Sequence, residues 1–220
     1  MRAPDALDWD GYCARWSAAH GGYDPRRAPS LVRGWLRLGH TLGSALLRAG
    51  VGSPNTVTLF GLLISLGVPP VAALAPLGGL WAAILILLAA FADTIDGVLA
   101  VIADRATRLG QVYDSAADRL SEAAWVLAFA LLGAPVWLAV AAGAVMWLHE
   151  YVRARATVAG LPDIGAVTVA ERPTRILVAI FGLLATLFDD RAATLTMAIA
   201  VLVALVGLGQ LLRAVVKALR

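Results

Sequence analysis

Within one stretch of 26 residues two pairs of aspartates recur at helical spacing, Asp93 with Asp96 and Asp114 with Asp118, with Asp104 in the link between them. The spacings of three and four put each pair on one face of its own helix. Both pairs sit in apolar surroundings, where ionisable side chains are costly and mark function. Two helices joined by a short link bring the four carboxylates together, and like charges so placed repel unless protons or cations intervene. No His or Cys occurs between Asp93 and Asp118, so the ligands are oxygen only, which suits a hard ion such as Mg²⁺, Mn²⁺ or Ca²⁺. Gly97 and Ala100 are small and leave room for a ligand beside the helix backbone. A divalent ion next to such a gap suits phosphoryl transfer, where it offsets diphosphate charge and stabilises the leaving oxygen. The plain structural alternative is a set of buried acids paired with Arg105, Arg108 or Arg119. Four acids aligned on two helices exceed what that alternative requires.

The elements that must position these acids are membrane helices. The chain has 220 residues, 60% hydrophobic and only 15% charged, against roughly 45–50% and about 25% in soluble domains. One cysteine, Cys13, excludes a disulfide framework, and three histidines with that single cysteine exclude a zinc finger. Residues 1–27 are polar and mixed in charge, so no secretory signal is expected. Six apolar stretches are set against the roughly 20 residues that a spanning helix needs: Thr56–Ala75, Leu80–Ala103, Val112–Leu132, Val136–Val158, Ile176–Phe188 and Ala193–Val216, the fifth being short unless it begins earlier, near Val169. Turns are expected at Pro76-Leu77-Gly78-Gly79, Gly133-Ala134-Pro135 and Asp189-Asp190-Arg191. With both termini cytoplasmic, 17 of the 18 basic residues, from Arg2 to Arg220, lie on the cytoplasmic side and only Arg191 lies outside. The positive-inside rule therefore fixes that orientation. Both aspartate pairs then lie at the cytoplasmic ends of their helices.

Leu31, Trp35, Leu38, Leu42, Leu46 and Leu47 recur at helical spacing between Ser30 and Ala49. That pattern fits an amphipathic helix in the membrane interface, and equally a connecting helix packed on the bundle. The expected fold is thus an all-α integral membrane protein. Residues 1–29 form a cytoplasmic segment of unreadable role, residues 30–52 an amphipathic juxtamembrane helix, and residues 53–220 a six-helix domain.

Asp93-x2-Asp96-Gly97-x2-Ala100-x9-Gly110-x3-Asp114-x3-Asp118 resembles the signature of the CDP-alcohol phosphotransferases, D-x2-D-G-x2-A-R-x8-G-x3-D-x3-D. Seven of its eight fixed positions match at the correct spacing. The resemblance implies transfer of a phosphatidyl group from CDP-diacylglycerol, or a related CDP-alcohol, to the hydroxyl of a second alcohol with release of CMP. It implies that Asp93, Asp96, Asp114 and Asp118 hold Mg²⁺ or Mn²⁺ and that Asp118 is also the general base. Ser53-Pro54-Asn55-Thr56-Val57-Thr58 is similar to the family's T-P-[ND]-x2-T entry to the first helix. By the same resemblance Asn55, Thr56, Val57 and Thr58, with Gly97, Ala100 and Thr107, form the CDP pocket. Read alone, Ser53-Pro54-Asn55 is simply a helix start. The family's usual homodimer, a bacterial inner-membrane location with the site facing the cytoplasm, and no nucleic-acid partner are expected with it.

One position departs from the signature: Val101 stands where the family has an arginine expected to contact the donor. Valine cannot supply that charge, and losing such a contact costs about 1.5–3 kcal/mol; Arg105 or Arg108 is placed to substitute. The departure also admits a degenerate member that binds a CDP-lipid without turning it over. Acids within helices admit a transporter, which the lack of an internal repeat disfavours. For the acceptor, Arg153, Arg155, Arg172 and Arg175 gather in one link, and arginine suits phosphate recognition. Lipid-headgroup anchoring is the plain alternative for each. The pattern Tyr151-Val152-Arg153-Ala154-Arg155-Ala156 with Glu171-Arg172-Pro173-x-Arg175 resembles the phosphatidylinositol phosphate synthase branch, and in part the phosphatidylglycerophosphate synthases. The implied acceptor is a phosphorylated polyol, inositol phosphate or glycerol 3-phosphate.

Overall fold

The structure is a computed structural model that describes residues 7–19, 22–74, 77–161 and 168–220. Arg2 and Pro76, both used above, lie outside the described residues. Among those described there is no strand, and the chain forms α1 (Trp9–Ala19), α2 (Ser30–Arg48), α3 (Pro54–Leu66), α4 (Val68–Ala72), α5 (Gly78–Ile102), α6 (Arg108–Leu131), α7 (Val136–Val158), α8 (Arg172–Ala185) and α9 (Ala192–Leu219). Each expected span coincides with one of these helices except the first, which is divided between α3 and α4. Pro69 and Pro70 explain the division: proline lacks the N–H an interior turn requires, so a new helix starts at Val68 with proline in its first turn.

Among the described residues, three segments are long and apolar enough to cross a membrane: Pro54–Ala72, Gly78–Ile102 and Ala192–Leu219. The other three expected spans differ for physical reasons. α6 carries Arg108, Asp114, Asp118, Arg119 and Glu122, and α7 ends in His149, Glu150, Arg153 and Arg155. α8 has only 14 residues, about 21 Å of helix against a hydrocarbon core of about 30 Å.

The helix ends are closed locally. α2, α6 and α7 finish on Gly50, Gly133 and Gly160, each at positive φ. The following residue donates its N–H five positions back in each case: Val51 to Leu46, Ala134 to Phe129 and Leu161 to Ala156. This arrangement satisfies carbonyls the helix would leave unpaired. α5 ends the same way, Arg105 N–H to Ala100 O at 3.0 Å, but the left-handed residue is Asp104, at φ 53°.

The chain divides into two compact units, one of residues Met1–Leu63 with Leu88–Asp118, the other of Ile64–Leu87 with Arg119–Arg220. In the first, α1 and α2 pack on the later part of α5. Its core contains Tyr12, Cys13, Leu47, Val57, Ala92, Ile95, Val98, Leu99 and Ile102. α2 approaches α5 through Gly39 and Gly43: an added Cβ would lie 2.9 Å from Thr94 Cγ2 and 2.8 Å from Val98 Cγ1, respectively. Trp35 Nε1 donates to Thr94 Oγ1 at 2.8 Å. Leu31, Leu38 and Leu42 stay exposed, while Leu47 is buried and Leu46 packs beside it, so α2 docks through its small residues and the C-terminal end of its leucine stripe. In the second unit α9 packs on α7 and α8. Its core is assembled from Ile86, Trp125, Phe129, Leu138, Leu183 and Met197 with many alanines.

Candidate active site

α5 turns Ala92, Ile95, Val98, Leu99 and Ile102 inward, which leaves Asp93, Gly97 and Ala100 towards the other side. After a link of five residues, 103–107, α6 returns with Gly110, Asp114 and Asp118. The consequence is a carboxylate triad: one oxygen each from Asp93, Asp114 and Asp118 lies within 4.8 Å of the others, all three residues half-buried. Oxygens around an octahedral ion at 2.0–2.1 Å are about 3 Å apart when adjacent and about 4.2 Å when opposite, and slightly farther around Ca²⁺. The triad therefore fits a hard divalent cation in both donor type and spacing.

Asp96 is 6% exposed, and its Oδ2 accepts from Thr58 Oγ1 at 2.6 Å. The same hydroxyl lies 3.1 Å from Pro54 O. One hydroxyl has one proton, and the shorter charge-assisted contact takes it. The structure thus gathers three of the four expected metal ligands and sets Asp96 against Thr58. Val57 is buried in the core of this unit; Asn55 and Thr56 are exposed at the start of α3.

The two motif glycines have different reasons. A Cβ on Gly110 would meet Thr107 Oγ1 at 2.9 Å and Asn55 Oδ1 at 3.2 Å, so the protein's own side chains require glycine there. Nothing lies within 4 Å of a Cβ built on Gly97. A helical glycine costs roughly 1 kcal/mol relative to alanine, and here no packing accounts for it. The space over Gly97, beside half-buried Ala100, is open for a ligand. Thr107 caps α6: its Oγ1 accepts from Gly110 N–H at 2.9 Å.

Around the departure at Val101, Arg105 Nη1 donates to Gly52 O at 2.7 Å, while Arg108 is exposed at the start of α6. Arg15 of α1 lies with its Nη1 3.5 Å from Val101 O and 3.9 Å from Asp104 Oδ1. Neither Arg15 nor the Gly39–Gly43 contact is foreseen from the sequence. The G-x3-G spacing was a usable signal for the second; nothing local marks the first.

The expected acceptor arginines belong to the second unit. Arg175 is 4% exposed. Its Nη1 reaches Glu122 at 3.0 Å, Nη2 reaches Glu150 at 2.8 Å, and Nε donates to Ala170 O at 2.7 Å. Arg119 meets Glu122 at 2.9 Å. Arg153 meets Glu171 at 2.6 Å, and Glu171 Oε1 also accepts from Thr168 N–H and Oγ1, each at 2.9 Å. Buried His149 bridges, with Nε2 3.0 Å from Thr168 Oγ1 and Nδ1 3.2 Å from Arg175 Nη2. Arg172 is half-buried and Arg155 exposed. Arg175 is therefore engaged by carboxylates on both arms of its fork, and Arg153 on one.

The sequence pattern of the CDP-alcohol phosphatidyltransferases matches residues 51–212. A phosphatidylinositol phosphate synthase of Mycobacteroides abscessus is 36% identical over 156 residues, covering 66% of this chain and 68% of that protein. An archaetidylinositol phosphate synthase of Pyrococcus horikoshii is 34% identical over 138 residues, 62% of this chain and 71% of that one. The fold is similar to that of Mycobacterium tuberculosis phosphatidylinositol phosphate synthase. Its crystal structure with manganese and citrate superimposes with a TM-score of 0.68 at 24% identity, covering 80% of this chain and 88% of that one. The structure of the same protein with CDP-DAG bound gives 0.67 at 23% identity, covering 81% and 94%.

Proposed function

The chain belongs to the CDP-alcohol phosphatidyltransferase family, and from that premise we propose that it transfers a phosphatidyl group from CDP-diacylglycerol to an inositol phosphate, releasing CMP. The observation that carries this reading is the convergence of Asp93, Asp114 and Asp118 beside the open space at Gly97. A divalent cation held by those carboxylates, Mg²⁺ or Mn²⁺, offsets the diphosphate charge and stabilises the departing phosphate oxygen. Asp118 accepts the proton of the acceptor hydroxyl. That oxygen bonds to the lipid-bearing phosphorus as the bond from phosphorus to the CMP oxygen breaks, and CMP leaves with the electron pair. Gly97 and Ala100 give the nucleotide access to the α5 backbone, Asn55 and Thr56 flank it from the start of α3, and Thr58 orients Asp96.

Similarity to inositol phosphate-using synthases supports inositol phosphate over glycerol 3-phosphate as acceptor. Arg153, Arg155 and Arg172 receive the acceptor phosphate. Arg175, whose guanidinium is already met by Glu122 and Glu150, holds the frame on which they stand. The basic residues, with 17 of 18 on one side of a six-span layout, support a site facing the cytoplasm of a bacterial inner membrane.

The test is the purified full-length protein in detergent with Mn²⁺ or Mg²⁺ and CDP-diacylglycerol, offered inositol 1-phosphate, glycerol 3-phosphate, serine or inositol. CMP release with inositol 1-phosphate alone is the expected result; release only with glycerol 3-phosphate overturns the acceptor assignment. Val101 favours a second reading, a protein that binds the donor without consuming it. Donor binding with no CMP from any acceptor establishes that one instead.

A further inference from the structure

Position 101 lies at the end of α5, eight residues beyond Asp93 and five beyond Asp96 of the same helix, and it carries no charge. A guanidinium nevertheless stands there, delivered by a different element. Arg15 projects from α1 to within 3.5 Å of Val101 O and 3.9 Å of the Asp104 carboxylate. α1 precedes the region that the family pattern matches, which begins at residue 51.

α1 is firmly seated. Tyr12 and Cys13 are fully buried in the core formed with Val98, Leu99 and Ile102 of α5. Tyr12 packs on Trp9 and His40, with ring centroids 5.7 and 5.2 Å away. Arg15 is one helical turn beyond Tyr12, so its backbone is held while its side chain, 52% exposed, reaches past the end of α5. Its two contacts are long, and Asp104 is 94% exposed, so little holds the guanidinium in place. Most of its five N–H donors remain available to an anion. Arg105, the nearest alternative in sequence, is anchored to Gly52 O.

We propose that Arg15 is a donor-binding residue, supplying from α1 the positive charge beside the nucleotide phosphates that position 101 lacks. The inference rests on the donor-binding reading of the site given above. It makes the N-terminal helix part of the nucleotide site, and it explains how a valine can stand in the motif without loss of the donor.

The experiment is calorimetric titration of CDP alone, with Mn²⁺, into the full-length protein in detergent. It uses wild type, Arg15→Ala, Arg108→Ala and the double variant Arg15→Ala/Val101→Arg. Arg15→Ala is expected to weaken CDP binding roughly tenfold, the scale of one partly exposed charge-assisted contact. The arginine at 101 is expected to restore binding to within about threefold of wild type by the same reckoning. With substrates, KM for CDP-diacylglycerol should rise while kcat is kept. Cys13 should stay protected from alkylation, showing that α1 remains docked. Unchanged CDP binding in Arg15→Ala overturns the proposal, as does an equal loss that Val101→Arg fails to restore. So does exposure of Cys13, which would make Arg15 an anchor of α1. Folded wild type that binds no CDP overturns the donor-site reading itself, a result distinct from all of these.

Discussion

Each of the two compact units contains a cluster of carboxylates, and the clusters are built on opposite rules. In the first, Asp93, Asp114 and Asp118 point like-charged oxygens at one small volume. In the second, carboxylates and guanidiniums alternate: Arg119 with Glu122, Glu122 with Arg175, Arg175 with Glu150, Arg153 with Glu171. Alternation neutralises itself and fixes side chains, Arg175 above all, as a frame, with Arg153 at its half-buried edge. Convergence of like charge is relieved by a cation or a proton, which makes such a cluster a candidate ligand site. The same residue types therefore report frame or function according to how their neighbours are signed.

Substitutions should separate the two clusters sharply. The largest effect is expected from Asp118→Asn: CMP release should fall at least a hundredfold and up to about ten-thousandfold, with the melting temperature in detergent retained. Removal of divalent ions by chelation should abolish release in wild type, and Mn²⁺ or Mg²⁺ should restore it. An active Asp118→Asn enzyme would erase the distinction drawn here.

Glu122→Gln should act in the other direction. It breaks a buried pair with Arg175 and is expected to destabilise by about 3 kcal/mol, read as a lower unfolding temperature. Under chelation, Asp93→Asn and Asp114→Asn should lower that temperature less than Glu122→Gln does, because both are half-buried whereas Glu122 is 2% exposed. An equal fall in both sets would mean that the acidic triad is structural after all. Next in size is Gly43→Val, whose Cβ would lie 2.8 Å from Val98; a loss of about 1–3 kcal/mol is expected, with activity falling in parallel as α5 shifts. Smallest is Thr107→Ala, at about 1 kcal/mol for a lost cap. CDP affinity measured on the same variant decides whether Thr107 also touches nucleotide: unchanged affinity leaves it a cap only.

Much of this was legible in the sequence, and the failures have a common physical cause. Asp93, Asp114 and Asp118 could be placed together because helical spacing and a short link constrain them locally. Helix positions followed from hydropathy and turn residues, and α7 was bounded correctly because Pro135 opens it and Gly160 closes it. The break at Gly67 was missed although Pro69 and Pro70 announced it, since hydropathy is blind to a missing N–H. Of the six apolar stretches, three coincide among the described residues with segments long and apolar enough to cross a membrane; the charges clustered in α6 and α7 and the shortness of α8 set the others apart. The carboxylates that meet Arg175, Glu122 and Glu150, lie 53 and 25 residues off and leave no mark in its own segment. Arg15 was missed for the same reason, being 86 residues from Val101. Pairings across such distances leave no periodic trace in a single sequence.

The link between the two aspartate-bearing helices has one more consequence. α5 is stopped by the left-handed Asp104 and α6 is started by the Thr107 cap, so only Arg105 and Ala106 lie between two closures made by the chain itself. Arg105 is pinned in turn to Gly52 O. The triad is thereby shaped before any ion arrives, and ion binding forfeits little chain entropy. On the proposed reading, loading and exchange of a metal should be limited by ion dehydration rather than by folding of the loop, and the helical circular dichroism of the protein should be indifferent to chelation.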